Sequence, residues 1–272
     1  MRKVVLITGI SSGFGQQTSR LLAAKGHTVY GTVRKACETG SAVNVLMLDL
    51  TDIDSIRRTV RTVVEKEGRI DVLINNAGMH TGGPVETTPL ENIRLQMETS
   101  FMGMVNLTRE VLPVMRSNGG GTIINISSIG GLIGLPFQSF YSAAKFAVEG
   151  FSEALRMETA GFNVKIVVIN PGDFHTHNSA NRRGYLAPSG PEDPYHEQFE
   201  RTLSVIEHDE ASGGEPAVLA KKLAAIVECK NPRQRYIIAS PDQKLAVVLK
   251  KILPGRVFSA ILTSHYGISL RK

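Results

Sequence analysis

Cysteine is scarce in this chain of 272 residues: Cys37 and Cys229 are the two present. Two thiols cannot form the disulfide framework on which small secreted domains depend. Long apolar runs are also missing. The amino-terminal stretch Met-Arg-Lys-Val-Val-Leu-Ile-Thr-Gly is too short in apolar residues for a signal peptide or a membrane span. A cytoplasmic location is therefore expected. Acidic residues are absent from 244–272, where Lys244, Lys250, Lys251, Arg256, Arg271 and Lys272 stand. The whole chain has 31 Lys and Arg against 25 Asp and Glu, a net charge of +6, so these six cations equal the entire excess. The rest of the chain is balanced, which excludes a broad basic face for nucleic acid. There is no internal repeat and no low-complexity tract. Hydrophobic and charged contents of 42% and 21% are ordinary for a globular protein and exclude collagen-like, coiled-coil and disordered classes.

Short β-branched runs alternate with longer stretches of helical spacing. Val4–Thr8, Thr28–Val33, Val43–Leu48, Val72–Asn75, Thr122–Ser127 and Val164–Asn170 read as strands, with Tyr236–Ala239 as a seventh. Helical patterns fill 14–25, 52–67, 90–116 and 141–160. This rhythm predicts an α/β fold, a single-domain Rossmann-type doubly wound parallel sheet with helices on both faces. Strands buried on both faces should be continuously apolar, as these are. Residues 177–215 break the rhythm with Gly, Pro, Ser, His and charge. Short helices are expected there at 194–206 and beyond it at 216–229. The expected division is a catalytic domain over 1–241, carrying a substrate lid at 177–215, and a basic amphipathic helical extension over 242–272.

The first strand runs into Thr8-Gly9-Ile10-Ser11-Ser12-Gly13-Phe14-Gly15. Glycines where a strand turns into a helix let backbone amides and the positive helix end approach a pyrophosphate. A Gly-rich turn alone is weak evidence; its strand-before, helix-after context strengthens it. Tyr141 and Lys145 are four residues apart, so on a helix they share a face, and Ser128 falls just past the fifth strand. In a parallel sheet these groups can converge at one edge. Their chemistry suits carbonyl reduction: a phenol gives the proton, a hydroxyl supports the developing oxyanion, and a neighbouring ammonium lowers the phenol's pKa.

With Asn75-Asn76-Ala77-Gly78 closing the fourth strand and Pro171-Gly172-Asp173-Phe174-His175-Thr176 after the sixth, the chain resembles the short-chain dehydrogenase/reductase family. The likeness is close over residues 3–176 and looser beyond. "VYGTVR" and "YSAAKFAVEGFSEALR" are similar to stretches of hydroxysteroid and retinol dehydrogenases. The resemblance implies a catalytic set of Ser128, Tyr141 and Lys145. It also implies a nicotinamide cofactor held by Gly9, Ser11, Ser12, Gly13, Phe14, Gly15, Asn76, Ala77, Gly78, Tyr141, Lys145, Pro171, Gly172 and Thr176. Asp49, with Leu50 beside it, would bond the adenine. Where family members that use NAD carry an acid after the second strand, this chain has Arg34 and Lys35. Arg34 stands 19 residues past Gly15. A guanidinium grips a phosphate, so NADP is expected. The family's relay asparagine in the fourth-to-fifth-strand helix is replaced by Ser100, a fourth catalytic candidate.

The substrate is expected to be a small apolar ketone or secondary alcohol of steroid, retinoid or long-chain keto-lipid class. Ile129, Gly131, Leu132, Ile133, Leu135, Phe137 and Phe140 would wall its pocket, with Phe174 at the rear and only Lys145 and His80 charged nearby. A 3-oxoacyl thioester reductase, a 3-keto-sphinganine reductase and a non-catalytic NADP-sensing scaffold are the alternatives. No metal is expected, since His175 and His177 lack partners at ligand spacing. The helix with Met97, Met102, Met104 and Met115 suits packing and, by resemblance, a homo-dimer or homo-tetramer interface. Leu245, Val248, Leu249, Ile252 and Leu253 form one apolar helix face flanked by cations. That extension either docks on the domain or makes peripheral membrane contact through 244–272.

Overall fold

The β-branched runs become seven parallel strands: β1 (Val4–Thr8), β2 (Thr28–Val33), β3 (Asn44–Met47), β4 (Val72–Asn75), β5 (Gly121–Ile126), β6 (Val164–Pro171) and β7 (Arg235–Ile238). They pair in the order β3-β2-β1-β4-β5-β6-β7. The computed structural model describes residues 1–36, 42–175, 182 and 184–268. Side chains alternate across each strand. Val5 and Ile7 of β1 join Leu22, Leu219 and Leu223 on one face, while Leu6 joins Ile56, Leu107 and Val111 on the other. The first face is covered by α1 (Gly13–Ala24) and by Pro216–Glu228, here called α7. The second is covered by α2 (Ile53–Glu67), α4 (Gly103–Ser117) and α5 (Ser139–Glu158).

The helix expected over 90–116 is interrupted. It runs as α3 (Leu90–Met97), a π-helical turn over Glu98–Met102, and then α4. The wider turn carries Ser100, whose hydroxyl accepts hydrogen bonds from Gln96 Nε2 (2.9 Å) and the Met79 amide (3.2 Å). The helix expected at 194–206 is longer, α6 (His196–Ala211), because Phe199, Thr202 and Ile206 give it a buried stripe. At the end of the chain α8 (Pro241–Ile252) and α9 (Gly255–His265) follow. Leu253 is extended (ψ 146°), as a residue before proline prefers, and Pro254 separates the two helices. Val247 and Phe258 dock them on Ile133. Of the expected lid, 177–181 and 183 lie outside the described residues, as does Cys37. Among the described residues no helix is long and apolar enough to cross a membrane.

A buried polar chain ties the strand ends to the helices. Asn75 Nδ2 donates to Asn125 Oδ1 (2.9 Å), and Asn125 Nδ2 donates to Ser152 (2.8 Å). Asn170 Nδ2 donates to the Ser128 carbonyl (2.9 Å) and to Glu149 Oε1 (2.6 Å), and Arg235 donates to Asn170 Oδ1 (3.0 Å). Replacing Asn170 by Leu removes the amide while filling its space, and leaves the Glu149 carboxylate without that donor. The expected loss is about 2 kcal/mol of stability, read as a lower denaturant midpoint; an unchanged midpoint would deny the network its structural role.

Candidate active site

At the end of β1 the chain turns so tightly that side chains are excluded. Gly9 sits at φ +71°, and a Cβ on it would lie 2.9 Å from the Ala77 Cα. A Cβ on Gly15 would lie 2.1 Å from the Gly9 carbonyl oxygen. Thr8 Oγ1 accepts the amides of Asn76 (3.0 Å) and Ala77 (2.9 Å). In return Asn76 Nδ2 donates to the carbonyls of Thr8 (2.8 Å) and Gly9 (2.9 Å). The segment after β4 therefore clamps the loop after β1, and the Asn76 amide acts on the loop itself. Ser11, Ser12, Gly13 and Phe14 line the cavity beside the start of α1, where amides and the helix dipole favour an anion.

This cavity of about 1320 Å³ runs from Arg34 and Lys35 past Asp49 and Leu50 to Gly78, Ser128, Tyr141 and Lys145. Arg34 and Lys35 are exposed at its rim. Asp49 Oδ1 accepts from the amide (2.9 Å) and hydroxyl (2.7 Å) of Thr51. Pro171 and Gly172 border the inner end. A Cβ on Gly172 would meet Gln243 Oε1 at 2.0 Å, so glycine here admits α8. Thr176 and His177 lie outside the described residues, and among those described no His, Cys, Asp and Glu group could hold a metal. A Gly-shaped loop, a helix start and a basic rim together fit an elongated dinucleotide with an extra phosphate.

The reactive groups meet where β5 ends. Ser128 is extended (φ −167°), and its Oγ accepts the Gly130 amide at 3.0 Å. Tyr141, one turn before Lys145 on α5, is hydrogen-bonded to the Ser128 hydroxyl and stacked on His80, ring centroids 4.1 Å apart. Lys145 is buried and donates to the Ile126 carbonyl at 2.9 Å. Ser100 Oγ and Lys145 Nζ both flank Gly78. All four expected catalytic residues are thus brought to one place.

Their electrostatics correct one expectation. The Tyr141 phenol is not lowered in the chain by itself. Burial pushes it up to about 12, the Ser128 hydrogen bond opposing and the charges of Glu210 and Asp173 adding. Burial also lowers Lys145 to about 8, with Glu149 opposing. His80 is held well below its ordinary value, first by burial and then by the charge of Arg182, so its imidazole is neutral. A phenol that stays protonated at neutral pH is in the form needed to give a proton to a carbonyl oxygen.

The inner end of the cavity differs in part from the expected pocket. Ile129, Ile133, Leu135 and Phe174 line it as expected, whereas Gly131, Leu132, Phe137 and Phe140 do not. Phe137 packs instead on Phe199, centroids 5.4 Å apart. The missing wall comes from Ala246, Leu249, Phe258 and Leu262 of α8 and α9. The expectation that only Lys145 and His80 carry charge there fails: Asp173, Asp209 and Glu210 also line it. Burial, then the charges of Glu210 and Asp209, raise Asp173 to about 6. Buried Arg182 binds Glu210 in bidentate fashion (2.7 and 3.1 Å). No local pattern marks these groups, since Asp173 after β6, Arg182 and the carboxylates of α6 converge only in the fold.

Residues 3–185 match the model of the short chain dehydrogenase family. The chain belongs to that family. It is 44% identical to a 3-ketodihydrosphingosine reductase of Bacteroides thetaiotaomicron, over 98% of each chain. It also resembles a solved short-chain dehydrogenase from Streptomyces avermitilis (31% identity, TM-score 0.81, 98% of each chain). A second, from Burkholderia cenocepacia, was solved in complex with NADP (25% identity, TM-score 0.74, 96% of this chain and 97% of that one). As a member of this family the protein is an oxidoreductase acting on CH-OH groups.

Two measurements check the assignment within this short-chain dehydrogenase. Tyr141→Phe keeps the ring and removes the proton, so ketone reduction should fall by ~10³-fold or more while cofactor still binds. The wild-type reduction rate should decline as pH rises through about 8, where the Lys145 ammonium loses its charge. An alkaline limb unchanged in Lys145→Met would remove Lys145 from that role.

Proposed function

We propose that this protein is an NADPH-dependent reductase that converts the ketone of a long-chain keto lipid, of the 3-keto-sphingoid class, to a secondary alcohol. The observation that carries the reading is a single cavity with Ser128, Tyr141 and Lys145 inside, a cationic rim at one end and apolar helices at the other. The 44% identity to a reductase named for a keto-sphingoid base supports the same class. Carboxylates of Asp173 and Asp209 among apolar walls suit a lipid whose polar head is cationic better than they suit a steroid or retinoid.

Bound NADPH would supply the hydride to the carbonyl carbon. The chain's own residues do the rest. Ser128 donates toward the carbonyl oxygen and fixes its direction. Tyr141 gives that oxygen its proton, the protonated phenol being the form that burial favours. Lys145 brings positive charge to the same pocket while its ammonium stays on the Ile126 carbonyl. Ser100, held by Gln96 and Met79, takes the place of the family's asparagine beside Gly78, where Lys145 Nζ also lies. Arg34 and Lys35 hold the additional phosphate that distinguishes NADP from NAD. The described part of the expected lid acts as one, lining the cavity through Tyr185, Ile206 and Gly214.

NADPH oxidation with 3-keto-sphinganine, ketosteroids, retinal and short ketones tests the substrate class. Keto-sphinganine is expected to have the highest kcat/KM, and a ketosteroid in that position would transfer the assignment to the steroid class. In the same assay NADPH should outperform NADH. Val33→Asp with Arg34→Ala should reverse that order; wild-type preference for NADH would refute the role of Arg34. Amide exchange across α6 should slow when NADPH and a substrate analogue are added together. Exchange equal with and without ligands would leave no lid.

A further inference from the structure

The last two helices have two faces with different fates. Val247 and Phe258 point inward and are buried, 3% exposed each. Leu245, Val248 and Ile252 form a stripe along the outside of α8, 56, 52 and 68% exposed, and Val257 and Ile261 continue it along α9. Isolated exposed apolar residues need no explanation, but five on adjoining helix faces do. The cations of this segment, Lys244, Lys250, Lys251 and Arg256, are all exposed. No Asp or Glu occurs from 244 to the end of the chain. A second observation joins this surface to the active site. Leu245 and Ile261 belong to the exposed stripe and also line the cavity that holds Tyr141. Leu245 and Ile261 therefore stand where the cavity wall meets the exposed stripe.

We propose that the outer face of α8 and α9 docks on an anionic phospholipid surface, so that a lipid ketone enters the cavity between Leu245 and Ile261 directly from the bilayer. The charge pattern selects this occupant. Cations beside an apolar stripe match the headgroup and acyl layers of an anionic interface, whereas a second copy of this chain would bring like charge against like. A single-chain lipid that left the bilayer for this opening would exchange one apolar environment for another without exposing its chain to water. The inference rests on the lipid-ketone reading for what enters, but not for the docking itself.

The test uses the full-length protein with two kinds of vesicle, pure phosphatidylcholine and a mixture of phosphatidylcholine with phosphatidylglycerol. Co-sedimentation is expected with the mixed vesicles, weakened by salt, and little with the neutral ones. Val248 and Ile252 do not line the cavity, and neither do Lys244 and Lys251. Removing charge with Lys244→Gln and Lys251→Gln should lower vesicle partitioning on the order of thirtyfold. Val248→Ser with Ile252→Ser should lower it too. Both variants should reduce a short soluble ketone at the wild-type rate and lose reduction of vesicle-embedded 3-keto-sphinganine. Equal binding of wild type and both variants to mixed vesicles would overturn the proposal. So would absence of binding together with a dimer, seen by sedimentation equilibrium, that Val248→Ser and Ile252→Ser dissociate. Vesicle binding with no reduction of 3-keto-sphinganine in detergent micelles would instead reject the substrate class and leave the docking standing.

Discussion

A buried ammonium organises the centre of this protein. Lys145 is 7% exposed, in a place where an uncompensated charge would be expensive, and its donor finds the carbonyl of Ile126 at the last residue of β5. That bond fixes the rotation of α5 against the strand end, and Tyr141 one turn earlier is fixed with it. The same strand end continues into Ser128, whose own carbonyl is held by Asn170, which also binds Glu149 one turn beyond Lys145. Position of the hydroxyl, the phenol and the ammonium is thus set by one connected set of buried polar contacts rather than by three separate placements.

Burial that serves positioning also sets protonation. It holds the phenol protonated, brings the ammonium to about 8 and leaves His80 neutral. The three shifts have a common cause, since each charged form loses water in the same recess. The direction favours proton delivery to a ketone. Drawing a proton from an alcohol calls for additional positive charge near the phenol, and the oxidised nicotinamide is the natural source of it.

The phosphate loop obeys a different constraint, close approach of backbone to backbone. Thr8, Gly9 and Gly15 lie so near Asn76 and Ala77 that the loop and the segment after β4 form one unit. At the opposite end, β6, α6, α8 and α9 close the cavity with surfaces that mix carboxylates and aliphatic groups. A shared dinucleotide half and a private substrate half follow from this division. The residues of the phosphate loop and its clamp lie in the first third of the chain, while part of the substrate wall is drawn from its end.

Much of this was legible in residue order. The apolar runs marked the strands to within a residue, the five central ones because a strand buried on both faces must be continuously apolar, while β3 and β7 stand at the sheet edges and are partly exposed. The glycines, Ser128, Tyr141 and Lys145 could be placed from spacing because the backbone forces on them are local or repeat at helical period, and Asn76 from the likeness to the family. The place of Arg34 at the cavity rim could be read because it follows directly on β2. The π-helical turn at Ser100 was not legible, since it depends on the Met79 amide, which comes from the segment after β4, and on Gln96. Nor was the sign of the phenol's shift, because spacing places Lys145 near Tyr141 but says nothing of how deeply both are buried. Arg182 with Glu210, Asp173, and the pocket walls supplied by α8 and α9 were decided by tertiary structure alone. Such groups meet across long stretches of chain, where packing rather than periodicity chooses the neighbour.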